Sequence, residues 1–213
     1  MTIFKNGSRH NIERAPLTAQ PWEVPDPPKI GDATSDITFR SVGAALSQWE
    51  YFEGNLSLAF SFLIGSGYGN VAALRAYGSV ESFRGRANMI EEAGEVYFKY
   101  EPDEKLQASI KELLTRARQL SSRRNEIAHG IVSPYFETAN DKNIHNGFVL
   151  YPAYYATRKR KLSQDVPLTD VTLTYVYSSV EIDHFGRQFD DLAIKATDIL
   201  TDLARHAQGK ISR

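Results

Sequence analysis

The chain has 213 residues, 25 Lys and Arg against 26 Asp and Glu, a net charge of −1 and no cysteine. The even charge balance excludes a globally basic nucleic-acid binder while leaving room for a local basic patch, and the lack of cysteine excludes disulfides and thiolate chemistry. The first residues form no signal-peptide core, and the longest apolar run, near Leu58 to Ile64, is broken by serine and too short to cross a bilayer, so a soluble cytoplasmic protein is expected.

Residues 1–35 are polar and crowded with Pro16, Pro21, Pro25, Pro27 and Pro28. Proline removes donors and favours extended backbone. The stretch reads as a disordered tail or as an extended arm that uses Trp22 to dock on the same or a neighbouring subunit. From Asp36 to Ile64 the pattern becomes helical, with Val42, Leu46, Trp49, Phe52, Leu56, Phe60 and Leu63 recurring every three or four residues. Glu53 lies on this helix and reads as a solvated carboxylate, with a cleft-facing place as the alternative. The glycine-rich turn Gly65–Asn70 lacks a Walker lysine and a βαβ context, so it is no phosphate loop. Asn70 is a fitting N-cap for the next helix.

A second helix is expected from about Val71 to Lys99 and a third from about Pro102 to His129, each with one apolar stripe. Beyond them, Gly147–Tyr151 and Val171–Tyr177 are rich in β-branched and aromatic residues and read as strands. A last helix spans about Asp183 to Ala207. The fold class expected is mainly α: an antiparallel up-and-down four-helix bundle over residues 36–213, with a small antiparallel β insertion at about 131–181, before the last helix.

The densest group of chemically versatile residues is Arg123-Arg124-Asn125-Glu126-Ile127-Ala128-His129-Gly130, at the end of the third helix. Cations in a last turn followed by glycine are also an ordinary helix stop, since glycine tolerates a left-handed cap. The functional reading makes His129 a proton carrier near neutral pH and Arg124 a planar, permanently charged phosphate ligand. Positions 124 and 129 are about 140° apart on a straight helix, so to share a site with His129 either Arg124 reaches around with its long stem or the helix loosens near Gly130. A second, weaker feature is the basic run Arg158, Lys159, Arg160 and Lys161, near Tyr151, Tyr154 and Tyr155. With Arg123 it could contact an RNA backbone, or it could be a solvated hairpin tip. His10, His145, His184 and His206 have no spacing typical of metal ligands, and neither a metal nor a cofactor is expected.

Over roughly residues 36–207 the chain resembles the HEPN superfamily. Its signature is an arginine, often followed by asparagine, then a histidine four to six residues after the arginine, late in the third helix of a bundle. Arg124, Asn125 and His129 stand in those places. The resemblance implies a metal-independent endoribonuclease, of the kind found among toxins and defence effectors, or else a non-catalytic module that binds a nucleotide, RNA or a partner protein. It also implies an antitoxin or nucleotidyltransferase-like partner. Members paired with a nucleotidyltransferase often carry a tyrosine two positions after the histidine, and here that residue is Ile131. One histidine supplies only half of an acid–base pair, which favours a homodimer that joins two motifs in one cleft.

Overall fold

The computed structural model describes residues 18–139, 142–153 and 173–211. Its elements are α1 (Ser35–Leu63), α2 (Val71–Gly78), α3 (Phe83–Tyr100), α4 (Glu104–His129), β1 (Gly130–Ala139), β2 (Lys142–Pro152) and α5 (Ser179–Ile211). The described chain is mainly helical, with one two-stranded antiparallel sheet.

The core forms where the apolar stripes meet. α1 contributes Trp49, Phe52, Leu56 and Leu63, α4 contributes Leu113, Leu114, Ala117 and Leu120, and α5 contributes Ile182, Phe185, Phe189 and Leu192, all buried. Trp49 stands edge-on to Phe52, Phe83 and Phe189, with ring centroids 5.3, 5.0 and 5.2 Å away, so one indole ties three helices together. The most extensive helix pairing joins α1 and α5. Within it the Asn55 amide donates to the Ala193 carbonyl at 3.3 Å and to Thr197 Oγ1 at 2.9 Å.

Three helix starts are fixed by side-chain caps. Asn70 Oδ1 accepts from the N–H groups of Ala72 and Ala73, Ser82 Oγ from Gly85, and Asp103 Oδ1 from Leu106. Before α5, the Glu181 carboxylate turns back to the Ser178 N–H at 2.7 Å, half of a capping box, and so starts the helix at Ser179 rather than near Asp183. The helix expected over 71–99 is two helices. Gly78 and Ser79 end the first, Ser82 caps the second, and Arg86 Nε donates to the Val80 carbonyl at 2.8 Å in the break between them. Among the described residues five helices therefore stand where four were expected.

β1 and β2 form a hairpin that begins directly after α4. The strand expected at 171–177 is absent from its described part, 173–177. Only Tyr177 pairs, exchanging backbone hydrogen bonds with Leu150 at 2.7 and 3.1 Å. The outer edge of β2 is shared with the N-terminal arm, where Asp32 pairs with Phe148. Gly31 and Gly147 make that crossing possible. A Cβ on Gly31 would lie 2.6 Å from the Phe148 carbonyl oxygen, and Gly147 takes φ +100 against the Gly31 backbone. The described part of the arm docks on its own chain: Trp22 packs against the core margin. The Asp32 carboxylate meanwhile accepts from Thr38 Oγ1 at 2.6 Å and from Ser179 Oγ at 2.6 Å.

Candidate functional site

The last turn of α4 has two faces with different work. On the inner face Arg123 is 13% exposed and pairs with Glu126 Oε1 at 2.8 Å. Tyr177 donates its hydroxyl to Glu126 Oε2 at 2.6 Å, and Tyr175 donates to the Glu126 main-chain oxygen at 3.0 Å. The two tyrosine rings stack, centroids 4.9 Å apart. Burial pushes the Glu126 carboxyl above the usual carboxylate range, against the opposing pull of the Tyr177 hydrogen bond and Arg123. Burial and Glu126 likewise push both tyrosine hydroxyls up. Arg123 is thus part of the clamp that holds the chain entering α5 against the end of α4, not a free cation.

The outer face presents the motif. His129 is the last residue of α4 and is exposed. Arg124, one quarter exposed, donates from Nη2 to Glu50 Oε1 of α1 at 3.1 Å and from Nη1 to Asn125 Oδ1 at 3.2 Å. The structure therefore joins Arg124 with Asn125 and adds Glu50, which the sequence did not signal. It makes no hydrogen bond between Arg124 and His129, because α4 stays helical through position 129 and keeps the two on different sides. Arg158, Lys159, Arg160 and Lys161, with Tyr154 and Tyr155, lie outside the described residues.

Gly130 ends the helix for a reason other than a left-handed cap. Its φ of −77 and ψ of 162 are extended backbone open to any residue. A Cβ there would lie 2.6 Å from Leu150 Cγ. The glycine admits the buried Leu150 beneath the helix end and so fixes where β1 departs, one residue after His129.

Glu53 is neither solvated nor in a cleft. It is 6% exposed, accepts from Trp49 Nε1 at 2.7 Å and forms an ion pair with Arg86. Among the described residues, no group of three or more His, Cys, Asp or Glu is arranged to hold a metal ion. No helix of the described chain is long and apolar enough to cross a membrane. Two surface depressions among the described residues, one beside Trp22 and α4 and one between Ile30 and Phe136, leave out Arg124 and His129. No protein-family model, curated protein or solved structure matches this chain.

Proposed function

We propose that the protein is a metal-independent endoribonuclease of the HEPN type, a cytoplasmic toxin or defence effector. In this reading it works as a homodimer whose two Arg124–His129 segments line one cleft, with α1, α3, α4 and α5 as the up-and-down bundle. The observation that carries the reading is an exposed histidine at the end of α4, five residues after an arginine whose guanidinium is already oriented by Glu50 and Asn125.

The chemistry needs no metal. His129 of one protomer takes the proton from a ribose 2′-hydroxyl as that oxygen bonds to phosphorus. The P–O5′ bond breaks, and the partner's His129 returns a proton to the leaving oxygen. Arg124 stabilises the crowded, anionic phosphorus centre with charge-assisted hydrogen bonds, and Asn125 fixes the guanidinium plane. A phosphate entering the site competes with the Glu50 carboxylate for the same fork of donors.

The test is cleavage of single-stranded and structured RNA by the parent, His129→Ala and Arg124→Ala, with and without chelator. Loss of a general acid or base is expected to slow cleavage about a hundredfold while leaving RNA affinity nearly unchanged. Arg124→Ala is expected to weaken both binding and turnover, and chelator to change neither. Equal rates for the parent and His129→Ala would favour the second reading, a non-catalytic HEPN-like module that binds a nucleotide, RNA or a partner such as an antitoxin or nucleotidyltransferase-like protein. That reading draws support from Arg124 being engaged by Glu50 and Asn125 within one chain.

A further inference from the structure

α1 is the central helix of the core, yet one of its faces stays exposed from Asp36 to Gly54, even where Glu50 pairs with Arg124. Asp36, Phe39, Arg40, Gly43, Ser47, Glu50, Tyr51 and Gly54 recur at three- and four-residue steps and are all exposed. Phe39 is 56% and Tyr51 62% exposed, large apolar surfaces to leave in water. Glycine inside a helix is costly, and an exposed helix position ordinarily takes a better former. A Cβ on Gly43 or on Gly54 would meet nothing within 4 Å, so no described neighbour explains either glycine.

We infer that this face of α1 is an isologous interface that packs antiparallel against α1 of a second copy of the chain. The inference rests on the reading of the chain as a dimer and supplies its surface. The face is complementary to itself. With a two-fold axis midway between positions 40 and 50, Arg40 lies level with the partner's Glu50 and Gly43 with the partner's Ser47, while Phe39 and Tyr51 flank the seam on either side. Two-fold symmetry repeats each pair, giving two ion pairs and two close backbone approaches bordered by aromatic rings. A second copy is thus the occupant that the charges match, since a helix with the reverse charge order would set like against like.

The other exposed edge fits a second copy less well. Phe148 and Leu150 turn their outward backbone groups to Asp32 and Tyr177, so the residues paired with them on β1, Pro134 and Val132, turn theirs to the opposite edge. Proline there offers no donor and blunts strand addition.

The geometry also brings the motifs together. Ten residues of helix separate the two facing pairs, so the two Glu50 carboxylates sit about 15 Å apart along the axis. Each already holds its own Arg124 at 3.1 Å. The partner's Arg40 would then share the Glu50 carboxylate with Arg124, placing both guanidinium groups of the proposed cleft beside the dimer axis.

Sedimentation of the full chain across the micromolar range tests the assignment. The parent is expected to be a dimer. Arg40→Glu sets carboxylates face to face, and Gly43→Gln fills the close approach while pointing into open space in the monomer. Each is expected to raise the dissociation constant at least about tenfold with helical circular dichroism unchanged. Because the chain has no cysteine, mixing Gly43→Cys protein with Ser47→Cys protein is expected to give a disulfide-linked dimer more readily than either variant alone. A monomeric parent, a dimer indifferent to both Arg40→Glu and Gly43→Gln, or equal cross-linking with and without mixing would overturn the interface. A dimer that responds as expected while the parent cuts no RNA would leave the interface standing and remove the ribonuclease reading.

Discussion

Glu50 and Glu53 lie one turn apart on α1, and each holds an arginine from another helix. Their settings are opposite. Glu53 is buried, also accepts from the Trp49 indole, and its partner Arg86 reaches on to the Val80 carbonyl and lies over the Tyr77 ring at 5.7 Å. Through Arg86 the Glu53 carboxylate joins α1 to the α2–α3 break. Glu50 is 62% exposed, and Arg124 can exchange its carboxylate for another anion at little cost. The same pair of charges is a buried joint in one place and an exposed, exchangeable contact in the other, and solvent exposure makes the difference.

Removing Glu53 should do the most damage. Glu53→Leu leaves Arg86 charged and without its partner, and is expected to lower unfolding free energy by about 3–5 kcal/mol in urea. Adding Arg86→Met should recover most of that loss, whereas a drop below about 1 kcal/mol would erase the contrast with Glu50. His129→Ala comes next and acts on the other quantity. The expected hundredfold loss of cleavage corresponds to about 2.7 kcal/mol of barrier, with unfolding changed by less than about 0.5 kcal/mol. Gly130→Ala drives a methyl into Leu150 and is expected to cost about 1–3 kcal/mol. Pairing it with Leu150→Ala should yield less than the sum of the two losses, and strict additivity would show that the glycine serves something else.

Arg124→Ala tests the exposed half of the comparison directly. Its stability cost is expected to stay under about 1 kcal/mol, with RNA affinity reduced far more than folding. The smallest effect concerns pH. His184 is half-buried, its ring hydrogen-bonds the Pro21 backbone and its Nε2 has no partner among the described residues. Burial, and then Arg187, hold its pKa below the usual 6.5. The unfolded chain therefore takes up this proton first as pH falls, and the stability contributed by neutral His184 is lost below about pH 6.5. Glu126, raised by burial, works in the other direction, so the comparison is between two melting curves. The parent is expected to lose melting temperature between pH 7 and 5 more steeply than His184→Gln, and parallel profiles would remove His184 from the account.

Much of the helical layout was legible because periodicity is a local signal. Trp49, Phe52 and Leu56 announce α1, and Leu106 to Leu120 announce α4, without knowledge of their partners. The position of His129 at the end of α4 followed the same way. The break at Ser79–Ser82 was hidden because Tyr77, Val80 and Phe83 keep helical spacing across it, although Ser82 was a cap in plain view. At Tyr175 and Tyr177, aromatic composition suggested a strand, but those rings instead stack beside Glu126, and composition registers half-burial rather than pairing. The charged partners could not be read at all. Glu50 and Arg124 are 74 residues apart, and Glu53 and Arg86 are 33 apart, so only the packed helices choose between a solvated carboxylate and a buried one. Gly130 was placed correctly but explained wrongly, since its cause is Leu150, on the next strand.

The α1–α5 pairing has a consequence during synthesis. The Asn55 amide and the Ala193 carbonyl that meet across it are 138 residues apart. Contacts of such separation close late, after the entropy of a long intervening chain has been overcome. α1 leaves the ribosome with Trp49, Phe52 and Leu56 ready to be covered, while α5 is made after every other described element. Through most of translation that apolar surface can only be sheltered by α3 and α4, or by a chaperone. A nascent chain arrested after Pro152 carries α1 to α4 and the hairpin but not α5, so the apolar face of α1 that α5 covers is still open.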